Sequence, residues 1–339
     1  MNTKIFKFAI MASLIMLLCF CVVACNQVEC EHVYSSPCDD SCNNCFAPRE
    51  TTHVYEDALD AICNICNYRR TPHLIYSKNE IEGGLTVIGH DCNNECGNIT
   101  IPAEHNGVPV TAIKDRAFLG CTCVTSVTGG ENLVRIGDSA FYGCTNLKHI
   151  TIPYGVTVIN DGTFTGCSNL TSVAIPNGVT TIEKFAFIGC TSLRDISIPY
   201  GVNFIGANAF RDCKSLTGIT IPYSVTFIDE GTFNNCINMT SVFIPDGVQS
   251  IGIGAFENCV CLSDIDIPNT VSFISPNAFS NTGLTKIFIP SSVTVIGSTA
   301  FDGCIHLTDI YYAGTEEQWN TLTSSSGYDA VTVHYNSAG

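Results

Sequence analysis

The chain carries little charge for its 339 residues, and basic side chains are the scarcer charged group. Charged residues make up 14% of the sequence, whereas about 25% is usual in soluble domains. This composition excludes a charged coiled coil and a disordered polyampholyte. Lysine and arginine number 15 against 31 acidic residues, so the formal net charge is −16. Because phosphate binding depends on clustered Lys and Arg, this balance argues against a nucleic-acid partner.

Sequence signatures of catalysis are also absent. The chain contains no G-x-S-x-G elbow, no H-E-x-x-H zinc motif and no phosphate-binding loop. Its eight histidines stand outside any such motif, and most acidic residues fall at turn positions where a solvated side chain is expected. We therefore expect a protein that is not an enzyme and that requires no cofactor.

Long apolar runs are missing except at the amino terminus. Residues 1–24 have the composition of a secretory signal, with a nearly unbroken apolar stretch after two lysines. The stretch ends in Val-Val-Ala-Cys at residues 22–25, which resembles the lipobox of bacterial lipoproteins. We therefore expect an exported protein that is held at the cell surface by a lipid on Cys25, with simple secretion as the alternative.

Cysteine is abundant, with 21 residues, and a first group lies in a Cys/His-rich segment over residues 25–77. Two C-x-x-C pairs at the spacing found here are typical of a tetrahedral Zn²⁺ site, but an exported chain also favours disulfides. Spacing alone does not separate these two interpretations. Zinc would be structural, since four protein ligands leave no position for a substrate. The cysteines concerned are Cys42, Cys45, Cys63 and Cys66.

A period of 23 residues governs the rest of the chain. Phenylalanine recurs at this spacing from Phe118 to Phe279, and Phe301 follows 22 residues later. A cysteine stands three residues after all of these phenylalanines but one, where Thr282 replaces it. The unit reads A-F-x-G-C-x-x-L-x-x-I-x-I-P-x-x-V-x-x-I-G. No unit this short can bury its own apolar face, so we expect a β-rich solenoid of about nine stacked units.

Each unit predicts a short parallel strand that ends at proline. In residues 170–175, for example, Val173 and Ile175 are expected to point inward, and the residues between them outward. Proline cannot donate a hydrogen bond to the next strand and therefore ends it. One unit departs from the pattern, with Thr-Gly-Gly at residues 128–130 where Thr-Ile-Pro is expected, and we expect an irregular sheet there.

The repeated cysteines have two interpretations. Neighbouring turns about 4.8 Å apart would allow disulfides, but one side-by-side geometry at every turn conflicts with a disulfide dihedral near 90°. We favour buried free thiols that fill space beneath the phenylalanines. Better disulfide candidates stand outside the repeat pattern, although their pairing cannot be deduced. They are Cys92, Cys96, Cys123 and Cys261.

The repeat resembles the BspA-type leucine-rich repeat of bacterial surface proteins. Residues 101–111 are similar to that family's opening segment, and residues 312–319 and 331–335 to its closing segment. The resemblance implies a leucine-rich-repeat solenoid that serves as an adhesin or as a binding protein for host matrix proteins and other cells. We predict a signal peptide (1–24), a Cys/His-rich spacer (25–77), an N-terminal cap (78–112), leucine-rich repeats (113–311) and a C-terminal cap (312–339).

Outward strand positions of successive units line one surface, which is the usual contact surface of repeat solenoids. In the second half of the chain this surface carries aromatic side chains beside acids. Exposed aromatics are frequent anchors at interfaces, but they can equally pack against one another in neighbouring turns. We take as ligand-binding candidates Phe243, Asp264, Asp266, Phe288, Asp309 and Tyr311.

These observations predict a cell-surface binding protein whose concave face engages an extracellular or host matrix protein. A lipoprotein that binds or captures glycans is the first alternative, because aromatic rings and Ser/Thr-rich strands also suit sugars. A structural envelope protein that self-associates is the second. In each case the membrane is reached only through the lipid anchor, and no nucleic acid is involved.

Overall fold

The structure is a computed structural model that describes residues 30–31, 51–52, 74–79, 81, 83–90, 96–322 and 331–337. The predicted signal peptide, the lipidation site at Cys25, the two C-x-x-C pairs and Cys92 lie outside the described residues. The chain divides into two compact units. The first comprises Met1–His73 and Asp91–Glu95, and in it β1 (Cys30–Glu31) and β2 (Thr51–Thr52) pair in parallel.

The second unit, Leu74–His90 with Cys96–Gly339, is a parallel solenoid of about ten turns, as predicted. Its longer strands form what we call the long-strand stack. Their hydrogen-bonded pairing is continuous from β5 to β14, and it resumes between β16 and β18 and from β21 to β24. The members are β5 (Gly97–Ile101), β8 (Val124–Gly129), β10 (His149–Thr151), β12 (Ser172–Ala174), β14 (Asp195–Ser197), β16 (Gly218–Thr220), β18 (Ser241–Phe243), β21 (Lys286–Ile289), β23 (Asp309–Tyr312) and β24 (Thr332–His334).

A second series of strands, the short-strand stack, arises from the V-x-x-I part of each repeat. Two antiparallel strands join its N-terminal end, β3 (Leu74–Lys78) beside the first member and β6 (Glu104–His105) beside the second. The members are β4 (Leu85–His90), β7 (Val108–Ile113), β9 (Arg135–Ile136), β11 (Val158–Ile159), β13 (Thr181–Ile182), β15 (Phe204–Ile205), β17 (Phe227–Ile228), β19 (Ser250–Ile251), β20 (Phe273–Ile274) and β22 (Val295–Ile296).

The strands pair with an offset of one repeat, so equivalent residues lie side by side. Ile150 pairs with Val173, and Val173 pairs with Ile196. These three side chains are buried, whereas the positions that flank each of them are exposed. Ile175 departs from the prediction because it is only half-buried, and the proline that follows it, at the end of the strand, is buried instead.

The repeated phenylalanines form one continuous column through the core. Nine rings from Phe118 to Phe301 stack with centroids 5.0–5.7 Å apart and with planes within 16° of parallel. The imidazole of His90 covers the first ring at a centroid distance of 5.2 Å. Since every ring contacts the next, each turn supplies apolar cover that its neighbour cannot supply for itself.

The repeated cysteines are free thiols, as predicted. The Cys190 thiol donates to the carbonyl oxygen of Phe164, in the preceding turn, at 3.2 Å, and the same hydrogen bond recurs from Cys144 through Cys259 at 3.0–3.3 Å. Burial raises the pKa of these thiols, to about 12 for Cys259. The column therefore combines ring stacking with a buried hydrogen bond that satisfies a carbonyl at each step.

The predicted irregularity near residue 128 is a longer strand that contains a glycine. β8 has six residues, and its pairing with β5 shifts register between Gly97 and Asn98. Gly129 adopts a φ of +79°, and a Cβ at this position would collide with the carbonyl oxygen of Ile101. Only glycine combines this backbone conformation with such a close approach.

Both ends of the solenoid carry additional elements. At the amino end, β3 begins at Leu74 and crosses the boundary predicted at residue 78. At the carboxyl end, β24 pairs with β23, and the Trp319 ring in the helix Glu316–Leu322 packs on Tyr312 at 5.4 Å. No helix among the described residues is long and apolar enough to cross a membrane.

The cysteines outside the repeat pattern behave differently from one another. Cys96 and Cys123 form a disulfide that joins the residue before β5 to the residue before β8. The prediction was wrong for Cys261, which is an exposed free thiol. Its repeat-equivalent positions in the adjacent turns are Asn238 and Gly283, so neither turn presents a cysteine beside it.

We expect Phe187→Ala to lower the free energy of unfolding by about 3–5 kcal/mol, because it removes a fully buried ring from the middle of the column. Denaturant unfolding followed by circular dichroism measures the loss. Tyr200→Ala removes an exposed ring from the next turn and should change stability by less than about 0.5 kcal/mol. Equal losses in the two variants would contradict the column as the source of stability.

Iodoacetamide should modify Cys261 in the folded protein and leave Cys259 unmodified. Cys259 is fully buried with its pKa raised to about 12 by burial, whereas Cys261, two residues away, is exposed. Because alkylation needs an accessible thiolate, the two rates should differ widely. Mass spectrometry of the one peptide that contains both cysteines gives the ratio, and comparable labelling would disprove the buried-thiol column.

Candidate ligand-binding surface

The outward positions of the long-strand stack form the surface predicted from the repeats. Third positions of successive strands follow one another in register, because Thr151 pairs with Ala174 and Ala174 with Ser197. We call this line of side chains the third-position row. It is small and polar in the first half of the chain and becomes aromatic and acidic in the second. Its members are Thr151, Ala174, Ser197, Thr220, Phe243, Asp266, Phe288, Tyr311 and His334.

The last three members of the row stack face to face and form what we call the aromatic ladder. The centroids of Phe288 and Tyr311 are 4.7 Å apart, and those of Tyr311 and His334 are 4.5 Å apart. The Lys286 ammonium lies 5.7 Å from the Phe288 centroid, which is within cation–π range. Of the two uses weighed for these aromatics, mutual packing is thus observed, while the rings stay half-buried and partly accessible.

Asp309 fixes the end of the ladder through hydrogen bonds. The His334 Nε2–H donates to Asp309 Oδ1 at 2.7 Å, and the Thr308 hydroxyl donates to Oδ2 at 2.7 Å. The hydrogen bond from His334 and then that from Thr308 hold the pKa of the Asp309 carboxyl below its usual range. The predicted candidate Asp309 therefore orients a ring of the ladder.

A groove of about 340 Å³ lies against the ladder and brings three predicted candidates together. Asp266, Phe288 and Tyr311 line it, together with Asp246 and Ser337. Asp266 reaches this place because it forms an isolated parallel bridge with Phe288. The predicted candidate Asp264 is exposed and lies outside this lining, as does Asp309.

Phe243 belongs to a separate, wider groove of about 780 Å³ in the middle of the row. Asp195, Thr220 and Ser241 line the groove with it, and Gly218 contributes no side chain, which opens the surface at that turn. The Tyr223 ring meets Phe243 edge to face at 5.7 Å. The six candidates therefore do not converge on one site.

Sequence reasoning missed two features of this surface. His334 completes the ladder, and it could have been found because it stands one 23-residue period after Tyr311. The tyrosines after the strand-ending proline, Tyr154, Tyr200 and Tyr223, are largely exposed. They share one position of the repeat, so the same periodicity that identified the phenylalanines would have aligned them.

Replacing His334 with alanine should raise the pKa of Asp309 toward its usual value, since the strongest hydrogen bond to the carboxylate is lost. Because the folded-state pKa lies below the unfolded value, the carboxylate's contribution to stability is present above the ordinary pKa and is lost as the pH falls through the folded value. A carbon-detected NMR titration measures the shift. His306→Ala, which removes an exposed histidine before β23, serves as the control. An unchanged Asp309 titration in His334→Ala would refute the assignment.

The architecture agrees with three comparisons. A leucine-rich repeat protein of T. pallidum is 29% identical, with a TM-score of 0.52 over 56% of this chain and 87% of that one. A leucine-rich repeat protein of Bacteroides ovatus is 24% identical, with a TM-score of 0.58 over 77% of this chain and 75% of that one. A leucine rich cell surface protein of Faecalibacterium prausnitzii is 26% identical, with a TM-score of 0.35 over 77% of this chain and 99% of that one.

The sequence comparisons are of two kinds. No curated protein matches the chain. The family model for the BspA type leucine rich repeat region matches in six copies, over residues 86–217 and 226–325, which is more than half of the chain. The 23-residue period, the stacked core and this match agree, and the chain belongs to the BspA-type leucine-rich repeat family.

Proposed function

We propose that the protein is a non-catalytic binding protein that engages an extracellular or host matrix protein through the outward surface of its long-strand stack. The observation that carries the proposal is the aromatic ladder of Phe288, Tyr311 and His334 beside a groove lined by Asp246 and Asp266. Membership of a leucine-rich repeat family supports a role in binding, because such folds present extended contact surfaces.

The ladder suits a protein partner for an energetic reason. Its rings already hold one another in place, and Asp309 holds the last ring, so little side-chain freedom remains to be lost on binding. Aromatic residues in pre-formed positions are the usual anchors at interfaces. The chain's net charge of −16 and the two acids at the groove favour a partner segment that carries lysine or arginine.

A second candidate function, glycan binding, is supported by the central groove. Phe243 and Tyr223 meet edge to face there, so their ring faces do not cover each other. Aspartate, threonine and serine side chains line the same groove and offer hydrogen bonds to sugar hydroxyls. In the aromatic ladder, by contrast, ring faces cover one another, which leaves less surface for a sugar ring.

The proposed role requires the protein to lie outside the cell. The apolar segment over residues 1–24 and the lipobox-like sequence before Cys25 support export and lipid anchoring, with secretion as the alternative. We further propose that Cys42, Cys45, Cys63 and Cys66 stabilise the spacer, as ligands of a structural Zn²⁺ or as disulfides. Zinc analysis of protein purified without a chelator distinguishes the two, since only the first interpretation requires bound metal.

The proposal is tested by a solid-phase binding screen of the purified chain against fibronectin, fibrinogen, collagen and a glycan panel. We expect saturable binding to a matrix protein that Phe243→Ala/Phe288→Ala weakens by about tenfold or more, since interface anchors contribute about 2 kcal/mol or more. The matched control is Phe227→Ala/Phe273→Ala on the short-strand stack. Those rings are 38% and 40% exposed, close to the 43% of Phe243.

The outcomes separate the candidate functions. Equal weakening by the two double variants would contradict the long-strand surface as the binding site. Binding to glycans alone, lost with Phe243→Ala but not with Phe288→Ala, would favour the central groove and the second function. If no ligand binds and sedimentation shows concentration-dependent association, the self-associating envelope role replaces both.

A further inference from the structure

A cluster of thiol, disulfide and imidazole groups lies at the amino end of the phenylalanine column. His90 ends β4, and its ring stacks on Phe118 with planes 13° apart. Cys121 follows in the same turn as Phe118, and the disulfide between Cys96 and Cys123 lies beside it. The cluster is remote in sequence from the aromatic ladder, and the proposed binding function does not use it.

The imidazole stands between a thiol and a disulfide sulfur. His90 Nε2 lies 2.6 Å from Cys121 Sγ, and His90 Nδ1 lies 3.8 Å from Cys96 Sγ. Each ring nitrogen therefore addresses a different sulfur atom. With the imidazole proton on Nδ1, the Cys121 thiol donates to Nε2, and the Nδ1–H points to the sulfur of Cys96.

Cys121 differs from the other repeated cysteines because the column starts at its own turn. In later turns the thiol donates to the carbonyl of the phenylalanine one turn earlier, as Cys144 does to Phe118 at 3.0 Å. The column contains no phenylalanine before Phe118, and Cys121 faces His90 instead. Cys121 is also half-exposed, whereas Cys144 is buried. The first thiol of the column is thus the accessible one, and it is paired with a base.

Cys123 has a second sulfur within reach of its own. Cys121 and Cys123 form a C-x-C sequence in a turn, where residues two apart have Cα separations that a disulfide can span. Cys123 is half-exposed, and Cys96 is buried with 4% exposure. The bonded partner of Cys123 is therefore the buried cysteine, and the alternative partner is the accessible one.

We propose that His90, Cys96, Cys121 and Cys123 form a thiol–disulfide exchange site, in which Cys123 changes its partner from Cys96 to Cys121. The Cys121 sulfur attacks Cys123 Sγ, so that the Sγ–Sγ bond between residues 121 and 123 forms while the bond between residues 96 and 123 breaks. His90 Nε2 accepts the Cys121 proton, and Nδ1–H gives its proton to the departing Cys96 sulfur. One thiol and one disulfide stand on each side of the reaction, so no external oxidant is required.

The need for a base follows from the environment of Cys121. Burial raises the pKa of its thiol to about 11, so the thiol is protonated near neutral pH, and only the thiolate attacks a disulfide. A base in hydrogen-bond contact removes this obstacle by accepting the proton as the sulfur attacks. The leaving sulfur is served by the other nitrogen of the same ring, so the proton transfers are completed locally.

The exchange would change how the N-terminal cap is attached. The disulfide of Cys96 and Cys123 links the start of β5 to the start of β8. After exchange this link is gone, and the backbone hydrogen bond from Gly97 N–H to the Cys123 carbonyl, at 3.1 Å, remains across the same strands. The site would thus convert a covalent tie between the cap and the first turns into a non-covalent one.

The test is native-state labelling of the full chain with N-ethylmaleimide, followed by peptide mapping without reduction. Cys96 is buried and bonded, so its labelling in the folded protein reports exchange, and the labelled molecules should carry a disulfide between Cys121 and Cys123. We expect Cys121→Ser to abolish Cys96 labelling and His90→Gln to slow it by about tenfold or more, because a general base contributes about 10²–10⁴-fold. Labelling of Cys190 controls for global unfolding, and labelling of Cys261 controls for reagent activity.

Three results would overturn the exchange site. Cys96 could be labelled no faster than Cys190, it could be labelled equally in Cys121→Ser, or untreated protein could show Cys121 bonded to Cys92. If Cys96 labelling needs Cys121 but is unchanged in His90→Gln, the role of His90 is wrong. In both single variants Cys190 must stay protected, which distinguishes loss of the chemistry from loss of the fold.

Discussion

Each turn of the solenoid leaves one face of its phenylalanine ring uncovered until the next turn stacks upon it. This constraint determines the rest of the structure, because a ring at a fixed place in every 23-residue unit forces equivalent residues of adjacent turns into register. The cysteine three residues later strengthens the same contact, since its thiol satisfies a buried carbonyl of the preceding turn. A thiol suits this position because it is small and apolar enough for the core and still able to donate a hydrogen bond. Disulfides between turns would tie up the donor that each step uses.

A column of this kind must end somewhere, and the two aromatic series end in the same chemical way. The core column ends at its amino side on His90, whose ring covers Phe118. The aromatic ladder of the outward surface ends on His334, whose ring covers Tyr311 and donates a hydrogen bond to Asp309. Imidazole can stack on an aromatic ring with its face while its nitrogens bond to polar groups at its edge. Each histidine therefore closes an apolar series at a place where polar partners are available, and each has become part of a polar cluster.

Periodicity predicted most of the fold, and the structure differs from it where single residues break the repeat. The strand positions around Val173, the phenylalanine column and the buried thiols all follow from the spacing. Ile175 escaped because a two-residue alternation takes no account of the buried proline that follows it. The groove beside Phe243 depends on Gly218, and the groove beside Phe288 depends on a bridge from Asp266. The sequence left open whether the outward aromatics bind or pack together, and ring-to-ring distances were needed to show that Phe288 and Tyr311 stack.

The division between inward and outward positions explains how such a scaffold can acquire a binding site without loss of stability. Inward side chains such as Ile150 and Val173 contact both neighbouring turns, so a change there disturbs three turns at once. Outward side chains of the same strands, such as Thr151 and Ala174, are exposed, and substitutions there remove little buried surface. The third-position row can therefore change from small residues to Phe243, Phe288 and Tyr311 over a few turns while the column beneath it stays the same. Since the column keeps adjacent turns in register, any aromatic placed on that row meets the next one at stacking distance. The scaffold thus pre-organises a contact surface from single substitutions, and for this reason the ladder is the strongest candidate for the binding site.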